Sequence, residues 1–190
     1  MAIKHNTPKI AIFGPMQTKL STEVLNILSY SKEEAMRTGH LLITADHLLL
    51  GILRHKDNPA CEALQSLGID IQEMKTWIEK GIFRPECITF EESDRIGFSR
   101  EAQNTLNLSI MEAGISSSTM ISPAHLLLAI CASSSSHGLD YLKSKKIDHS
   151  TLKSWFKEHD LLQAQKTGQP ASGHPVSILS ILSTPGKIPA

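Results

Sequence analysis

His47 and His125 are the side chains of this sequence best suited to chemistry, because an imidazole can accept a proton or bind a metal near neutral pH. Each is followed by three leucines. Neither has a second His, Cys or Glu four residues further on, the spacing that places two metal ligands on one helix face. The sequence also lacks a Gly-x-Ser-x-Gly nucleophile elbow. We therefore interpret both histidines as packing or hydrogen-bonding residues, and predict no catalytic residue, no metal site and no cofactor.

The cysteines and the charge balance narrow the function further. Cys61, Cys87 and Cys131 lie far apart and form no Cys-x-x-Cys pair, which indicates ordinary thiols in a reducing compartment. With 19 basic and 19 acidic residues, the chain has no excess positive charge for binding phosphates of a nucleic acid. No apolar run approaches the roughly 18 residues of a membrane span, and the first residues do not resemble a secretory signal. We expect a cytoplasmic protein that binds neither nucleic acid nor a membrane.

A tandem repeat determines where these side chains lie. Displacing the sequence by 78 residues aligns positions 20–78 with 98–156 without a gap, and 19 of the 59 aligned positions are identical. Unrelated sequences of ordinary composition would share roughly four. His47 aligns with His125, and Trp77 aligns with Trp155. The sequence therefore predicts two copies of one structural unit, called here repeat 1 and repeat 2.

Each repeat is predicted to contain four helices, because residues that cap helix starts recur at matching places. The predicted caps of repeat 1 are Ser21, Thr44, Asn58 and Asp70. Those of repeat 2 include Ser99, Ser122 and Asp148. Between the first cap and Gly39, apolar and small residues recur at helical spacing, as expected for a helix with one buried face. These residues are Val24, Leu28, Ser31 and Ala35.

The predicted fold is all-α: two four-helix repeats packed about a pseudo-twofold axis as one eight-helix domain. We assign five segments: an N-terminal extension (1–19), repeat 1 (20–80), an acidic linker (81–97), repeat 2 (98–159) and a flexible tail rich in Pro, Gly and Ser (160–190). Trp77 and Trp155 are predicted to be core residues that close each repeat. The apolar run 176–183 within the tail is compatible with a docking peptide and equally with a segment that folds back onto the domain.

The residues Gly39-His40, Ile43, Asp46–Gly51, Ala63-Leu64 and Leu67-Gly68 together resemble the Clp repeat. This repeat occurs twice in the N-terminal domain of ClpA- and ClpC-type AAA+ unfoldases, and the resemblance extends from position 20 to about 159. It implies an eight-helix domain that recruits adaptors and substrates and performs no chemistry itself. The sequence has no Gly-x-x-x-x-Gly-Lys-Ser/Thr phosphate loop. It therefore resembles a stand-alone N domain without the ATPase module.

The resemblance also implies a ligand. In the ClpC branch, a hydroxyl at the start of the first helix and an acid at the start of the second help to bind phosphoarginine. Repeat 1 has Ser21 and Asp46 at these positions, whereas repeat 2 has Ser99 and Ala124. Because alanine cannot accept a hydrogen bond from a guanidinium, we predict at most one peptide-binding site, formed by Ser21 and Asp46. The alternative interpretation is that Ser21 and Asp46 only cap helices.

The leading functional hypothesis is a protein-binding module of the Clp unfoldase/protease system that recognises adaptor proteins or substrate peptides. Its expected partners are these proteins, and a Clp AAA+ unfoldase or the Clp protease core. Two alternatives stay open at this point: an accessory subunit that docks on the Clp protease core, and the N-terminal fragment of a larger ClpC-type ATPase.

Overall fold

The computed structural model describes residues 19–86, 88–133 and 136–163 of the chain. These residues contain eight α-helices. Repeat 1 contains α1 (Thr22–Arg37), α2 (Ala45–Arg54), α3 (Pro59–Ser66) and α4 (Ile71–Ile82). Repeat 2 contains α5 (Arg100–Ile115), α6 (Pro123–Ala132), α7 (His137–Ser144) and α8 (His149–Glu158). Each helix of repeat 2 begins 78 residues after its counterpart. The predicted all-α fold of two four-helix repeats is confirmed.

The predicted caps position the helix starts. The Ser21 hydroxyl accepts a hydrogen bond from the Val24 amide, and Ser99 makes the same bond with Ala102 in repeat 2. A serine side chain can serve one of the amides that have no partner inside the first turn of a helix. At the other end of α1, Gly39 has φ +79°, the left-handed conformation that lets the chain leave the helix.

Four two-residue strands join the repeats crosswise. They are β1 (Lys19–Leu20), β2 (Leu42–Ile43), β3 (Gly97–Phe98) and β4 (Met120–Ile121). β1 pairs in parallel with β4, and β2 pairs in parallel with β3. The first strand of each repeat thus pairs with the second strand of the other, as a pseudo-twofold axis requires. Because a helix follows each strand directly, the starts of α1 and α6 lie side by side, and so do those of α5 and α2.

One hydrophobic core is shared by both repeats, with α2 and α6 in contact with each other near its centre. Burying a leucine side chain completely stabilises a fold by roughly 1.5–3 kcal/mol, so the two leucine runs contribute a large part of the core. All six leucines have no exposed surface: Leu48, Leu49, Leu50, Leu126, Leu127 and Leu128.

The prediction that both tryptophans are core residues is wrong for Trp77, whose surface is 52% exposed. The residues of α4 that enter the core are Met74 and Ile78, and Trp77 lies at the edge of that face. There it packs against the Tyr141 ring of α7, with ring centroids 5.8 Å apart. Trp155 is half-buried and stacks on His159. The same position of the two repeats therefore has different surroundings.

The segment between the repeats, predicted to be an acidic linker, contributes residues that pack against the core. A 3₁₀ helix (Phe90–Arg95) lies within it, and Ile96 at its end is 1% exposed. Ile88 also packs against the core. The segment predicted as a tail is described only as far as Gln163, so the apolar run 176–183 lies outside the described residues. None of the described helices is long and apolar enough to span a membrane.

Candidate functional site

His47 and His125 hydrogen-bond to the backbone at the starts of α2 and α6. His47 is fully buried, and its Nδ1 atom accepts a hydrogen bond from the Thr44 amide at 3.0 Å. Its Nε2 atom therefore carries the proton and donates to the Thr38 hydroxyl at 2.9 Å. In repeat 2, His125 accepts from the Ser122 amide and donates to the Leu162 carbonyl. Both rings use both nitrogens within the fold.

The pKa of His47 makes stability depend on pH. Burial lowers this pKa from 6.5 to about 3, so the folded protein disfavours the charged ring. The unfolded chain then binds more protons below pH 6.5, and stability falls with decreasing pH from about 6.5 to about 3, by about 1.4 kcal/mol per pH unit. Burial lowers the pKa of His125 as well, which acts in the same direction.

We expect the free energy of unfolding to be about 2 kcal/mol lower at pH 5 than at pH 7 through His47 alone. Urea denaturation at both pH values measures this, in a range above the titration of the carboxylates. The His47→Gln variant, which cannot titrate there, should show a clearly smaller difference between the two pH values. An unchanged difference would contradict the assignment to His47.

The two cysteines that the structure describes, Cys61 and Cys131, are not disposed for nucleophilic chemistry. Burial raises the pKa of the Cys61 thiol to about 11 and that of Cys131 to about 12. Since the thiolate is the nucleophile, both groups are almost entirely in the unreactive protonated form at neutral pH.

A pocket of about 780 Å³ opens where α2, α5 and α7 begin. Its wall includes the first turn of α2 and the segment from Gly81 to Arg84. Three carboxylates, one guanidinium and three imidazoles line it, so the carboxylates outnumber the guanidinium and give the pocket an acidic character. These groups belong to Asp46, Glu101, Asp140, Arg84, His40, His47 and His137.

The surroundings of Glu101 and His40 determine the charges of these two side chains at neutral pH. The pKa of Glu101 is lowered, first by a hydrogen bond from its own backbone amide and then by one from the Ser99 hydroxyl. The pKa of His40 is lowered by partial burial and by the nearby positive charge of Arg84. Glu101 is therefore negative and His40 neutral, so the carboxylates outnumber the positive groups.

Asp46 is only 6% exposed, and both of its oxygens bind the backbone of repeat 2. Oδ1 accepts from the Gly138 amide at 2.9 Å, and Oδ2 accepts from the His137 amide at 3.2 Å. The cap of α7 itself, Ser136, serves the Leu139 amide. Asp46 thus completes the start of a helix in the other repeat, a role that the sequence analysis did not identify.

The start of α3 is capped differently from the start of α7. Asn58 accepts from the amides of Ala60 and Cys61, and Pro59 has no amide hydrogen to satisfy. Helix α3 therefore needs no acceptor from repeat 2, in which Ala124 is the counterpart of Asp46. Helix α7 has neither this asparagine nor this proline, and takes its acceptor from Asp46. The difference between Asp46 and Ala124 thus matches the different caps of α7 and α3.

Ser21 and Asp46, predicted to form one site, lie at different places in the fold. Ser21 lies where α1 and α6 begin side by side, and Asp46 lies where α2 and α5 do. The Ser21 amide donates to the Ile121 carbonyl, next to the start of α6. The Ser99 amide donates to the Ile43 carbonyl, which places Ser99 next to the start of α2 and Asp46. Glu101 of the same helix lines the pocket with Asp46, whereas Ser21 does not. The pocket is built from both repeats.

The model of the Clp repeat N-terminal domain matches residues 19–145 of this chain. The chain belongs to this family of Clp N domains. This Clp N domain is 29% identical over 147 residues to the "Negative regulator of genetic competence ClpC/MecB" of Bacillus subtilis (strain 168). The aligned residues cover 77% of the chain but only 17% of that protein.

Solved Clp N domains share the fold. The Hsp104 N-terminal domain from Candida albicans superposes with a TM-score of 0.61 at 12% identity, covering 78% of this chain and 97% of that one. A complex of the ClpV N-domain with a VipB peptide gives a TM-score of 0.56 at 18% identity, covering 85% and 100%. The resemblance to the Clp repeat, and the pseudo-twofold eight-helix fold that it implies, are confirmed.

Proposed function

We propose that this Clp N domain is a protein-binding module of the Clp unfoldase/protease system, which recognises adaptor proteins or substrate peptides in the cytoplasm and performs no chemistry of its own. The acidic pocket at the starts of α2, α5 and α7 carries the proposal. A ClpV N-domain of the same fold has been solved with a peptide of VipB, which supports a peptide as ligand.

The charges of the pocket favour a basic side chain, and an arginine above all. A guanidinium presents planar donors that match one or two carboxylates. Since both oxygens of Asp46 are bound to amides of α7, the exposed carboxylates of Glu101 and Asp140 make the first contacts. Arg84 supplies a positive charge in the same pocket, so phosphoarginine, with its guanidinium and phosphate, is the proposed ligand class. Asp46 remains in this proposal as part of the wall.

The test compares a fluorescent peptide containing one phosphoarginine with the same peptide containing lysine. Glu101→Gln and Asp140→Asn should each weaken binding of the phosphoarginine peptide about three- to tenfold, because each removes one partly solvated charged contact. The matched control is Glu158→Gln, an exposed carboxylate of α8 outside the pocket, which should bind as the wild type does. The lysine peptide should bind more weakly throughout, because a single ammonium lacks the planar fork.

Equal affinity in the two pocket variants and the control would refute the proposed site, and so would no binding at about 1 mM peptide. Asp46→Ala is not a suitable test, since it also removes both acceptors from the start of α7.

A further inference from the structure

A groove of about 640 Å³, called here the apolar groove, lies between the end of α1 and the chain that follows α4. Four of the described residues that line it are apolar: Met36, Phe83, Pro85 and Ile88. The Phe83 side chain is 63% exposed, and Pro85 is exposed as well. Apolar side chains are costly to leave in water, so a cluster of them at the surface is suited to contact with a partner.

The charges around the apolar groove balance one another. Two acidic and two basic side chains line it: Glu33, Arg37, Arg84 and Glu86. Glu33 pairs with Arg54, and Arg37 pairs with Glu34 and Glu79, so both are neutralised within repeat 1. Unlike the acidic pocket, the groove has no excess of one charge with which to attract a charged side chain. Its chemistry fits an apolar side chain.

The exposure of Phe83 is not a requirement of the fold, as repeat 2 shows. Leu161 is the counterpart of Phe83 and packs against the core. Gly114 is the counterpart of Met36 and has no side chain to form a groove wall. Repeat 2 thus builds the same part of the fold without an exposed aromatic ring, and the apolar groove is a feature of repeat 1.

The apolar groove and the acidic pocket share one wall, because Phe83 and Arg84 line both openings. The backbone of this wall is held in place by the end of α1, where the Arg84 amide donates to the Thr38 carbonyl at 3.0 Å. A Cβ atom placed on Gly39 would lie 2.5 Å from the Glu86 carbonyl oxygen, so the wall fits closely against the glycine. A wall that is fixed in advance loses little conformational freedom when a ligand binds.

We propose that the apolar groove binds a large apolar side chain, leucine or phenylalanine, of the same peptide whose arginine or phosphoarginine enters the acidic pocket. This proposal rests on the proposed function, since it extends the acidic pocket along the bound peptide.

The shared wall sets the spacing of the two side chains in the peptide. One polypeptide segment separates the two openings, and neighbouring segments in proteins lie about 5 Å apart. In an extended peptide, side chains two positions apart point to the same face and are separated by about 7 Å. The recognised motif is therefore a basic residue and a large apolar residue with one residue between them.

The experiment measures the binding of fluorescent peptides, each with one phosphoarginine, to the full chain. Otherwise identical peptides have leucine or serine two positions before or two positions after the phosphoarginine. At the better of these positions, leucine should bind about tenfold more tightly than serine, because much of its side chain leaves water. Leucine one position away points to the opposite face of an extended peptide and should give no gain.

Four variants locate the gain, which is expressed as the ratio of the affinities for the leucine and serine peptides. Phe83→Ser and Met36→Ser should each lower the ratio from about ten to about three or less. Met36→Ser should leave the affinity for the serine peptide unchanged, because Met36 does not line the acidic pocket. Trp77→Ser is the matched control, since Trp77 is a 52% exposed aromatic residue of α4 outside the groove, and it should keep the ratio. Glu101→Gln should weaken the binding of both peptides and also keep the ratio.

A ratio near one in the wild type would overturn the proposal and leave the acidic pocket in place, as would a ratio that neither Phe83→Ser nor Met36→Ser lowers. If Glu101→Gln leaves the affinity for the serine peptide unchanged, the proposed function fails first, and the groove fails with it. No binding of either peptide at about 1 mM would overturn both. Circular dichroism of each variant checks that the helices are retained.

Discussion

Replacing Asp46 with alanine should lower the free energy of unfolding by about 2–3 kcal/mol, because it leaves one buried and one partly buried amide at the start of α7 without an acceptor. For a domain of this size the loss corresponds to a fall of roughly 5–10 °C in the melting temperature. Urea denaturation of the wild type and Asp46→Ala measures it directly. The variant has the largest effect that we expect of any single polar side chain at the pocket.

Two further variants separate the capping role of Asp46 from its charge. Asp46→Asn keeps one acceptor oxygen and should lose only about 1 kcal/mol. Ala124→Asp places the same side chain where α3 already has Asn58 and Pro59, so stability should not rise. If Asp46→Ala were as stable as the wild type, water would have to serve the amides of His137 and Gly138, and the contact between the repeats would lose its energetic importance.

Replacing Gly51 with alanine should destabilise the domain by about 3 kcal/mol, although alanine favours a helix more than glycine does. α1 and α2 approach each other closely at this point. A Cβ atom on Gly51 would lie 2.4 Å from the Ser31 Oγ atom and 2.6 Å from the Ile27 carbonyl oxygen. The hydroxyl can rotate, but the carbonyl belongs to the backbone of α1, so the two helices must separate.

Gly114→Ala is the matched control for Gly51→Ala. Gly114 also lies within a helix, and a Cβ atom there would meet no atom within 4 Å. Without a clash, only the helix propensity remains, and we expect a gain of about 0.5–1 kcal/mol. The urea midpoints of the two variants should therefore shift in opposite directions at an unchanged m value. A shift of the same sign in both would contradict the packing explanation.

The helix starts and the duplication follow from the sequence, because they depend on neighbouring residues. Ser21, Asn58, Asp70 and Asp148 each bind amides within three positions of themselves, so local sequence contains the information. The 78-residue displacement that matches the sequences also matches every helix start. Spacing of apolar residues likewise predicts the buried face of α1, since it reflects the helical period.

Contacts between elements that lie far apart in the sequence could not be predicted from local sequence patterns. Glu34 and Glu112 are identical in both repeats, and both are buried. Glu34 pairs with Arg37 and Arg54, whereas Glu112 pairs with His149 and Lys153 of α8. The same acid therefore receives its partners from different elements.

The set of residues that form the candidate site was not predictable for the same reason: they come from elements of both repeats. The sequence analysis assigned Ser21 and Asp46 to one site because the resemblance to the Clp repeat implies a hydroxyl at the start of the first helix and an acid at the start of the second. The crosswise strands instead join β2 to β3, and so bring α5 of repeat 2 to the start of α2. The missing Asn-Pro pair at the start of α7 is the one sequence signal that indicates an acceptor from elsewhere. That acceptor, Asp46, lies more than 90 positions away in the sequence.

The crosswise pairing of β1 with β4 and β2 with β3 has a consequence for how the two halves of the fold complete each other. One repeat translated alone would have two unpaired strand edges and half of a hydrophobic core. A second identical subunit would satisfy both through a closed, isologous interface, in which the first strand of each subunit pairs with the second strand of the other. The present chain has the architecture of such a homodimer, with its two halves joined in one polypeptide. Within one polypeptide the two halves need not be identical, so an acid (Asp46) can stand at the boundary in one half and an alanine (Ala124) at the same position of the other.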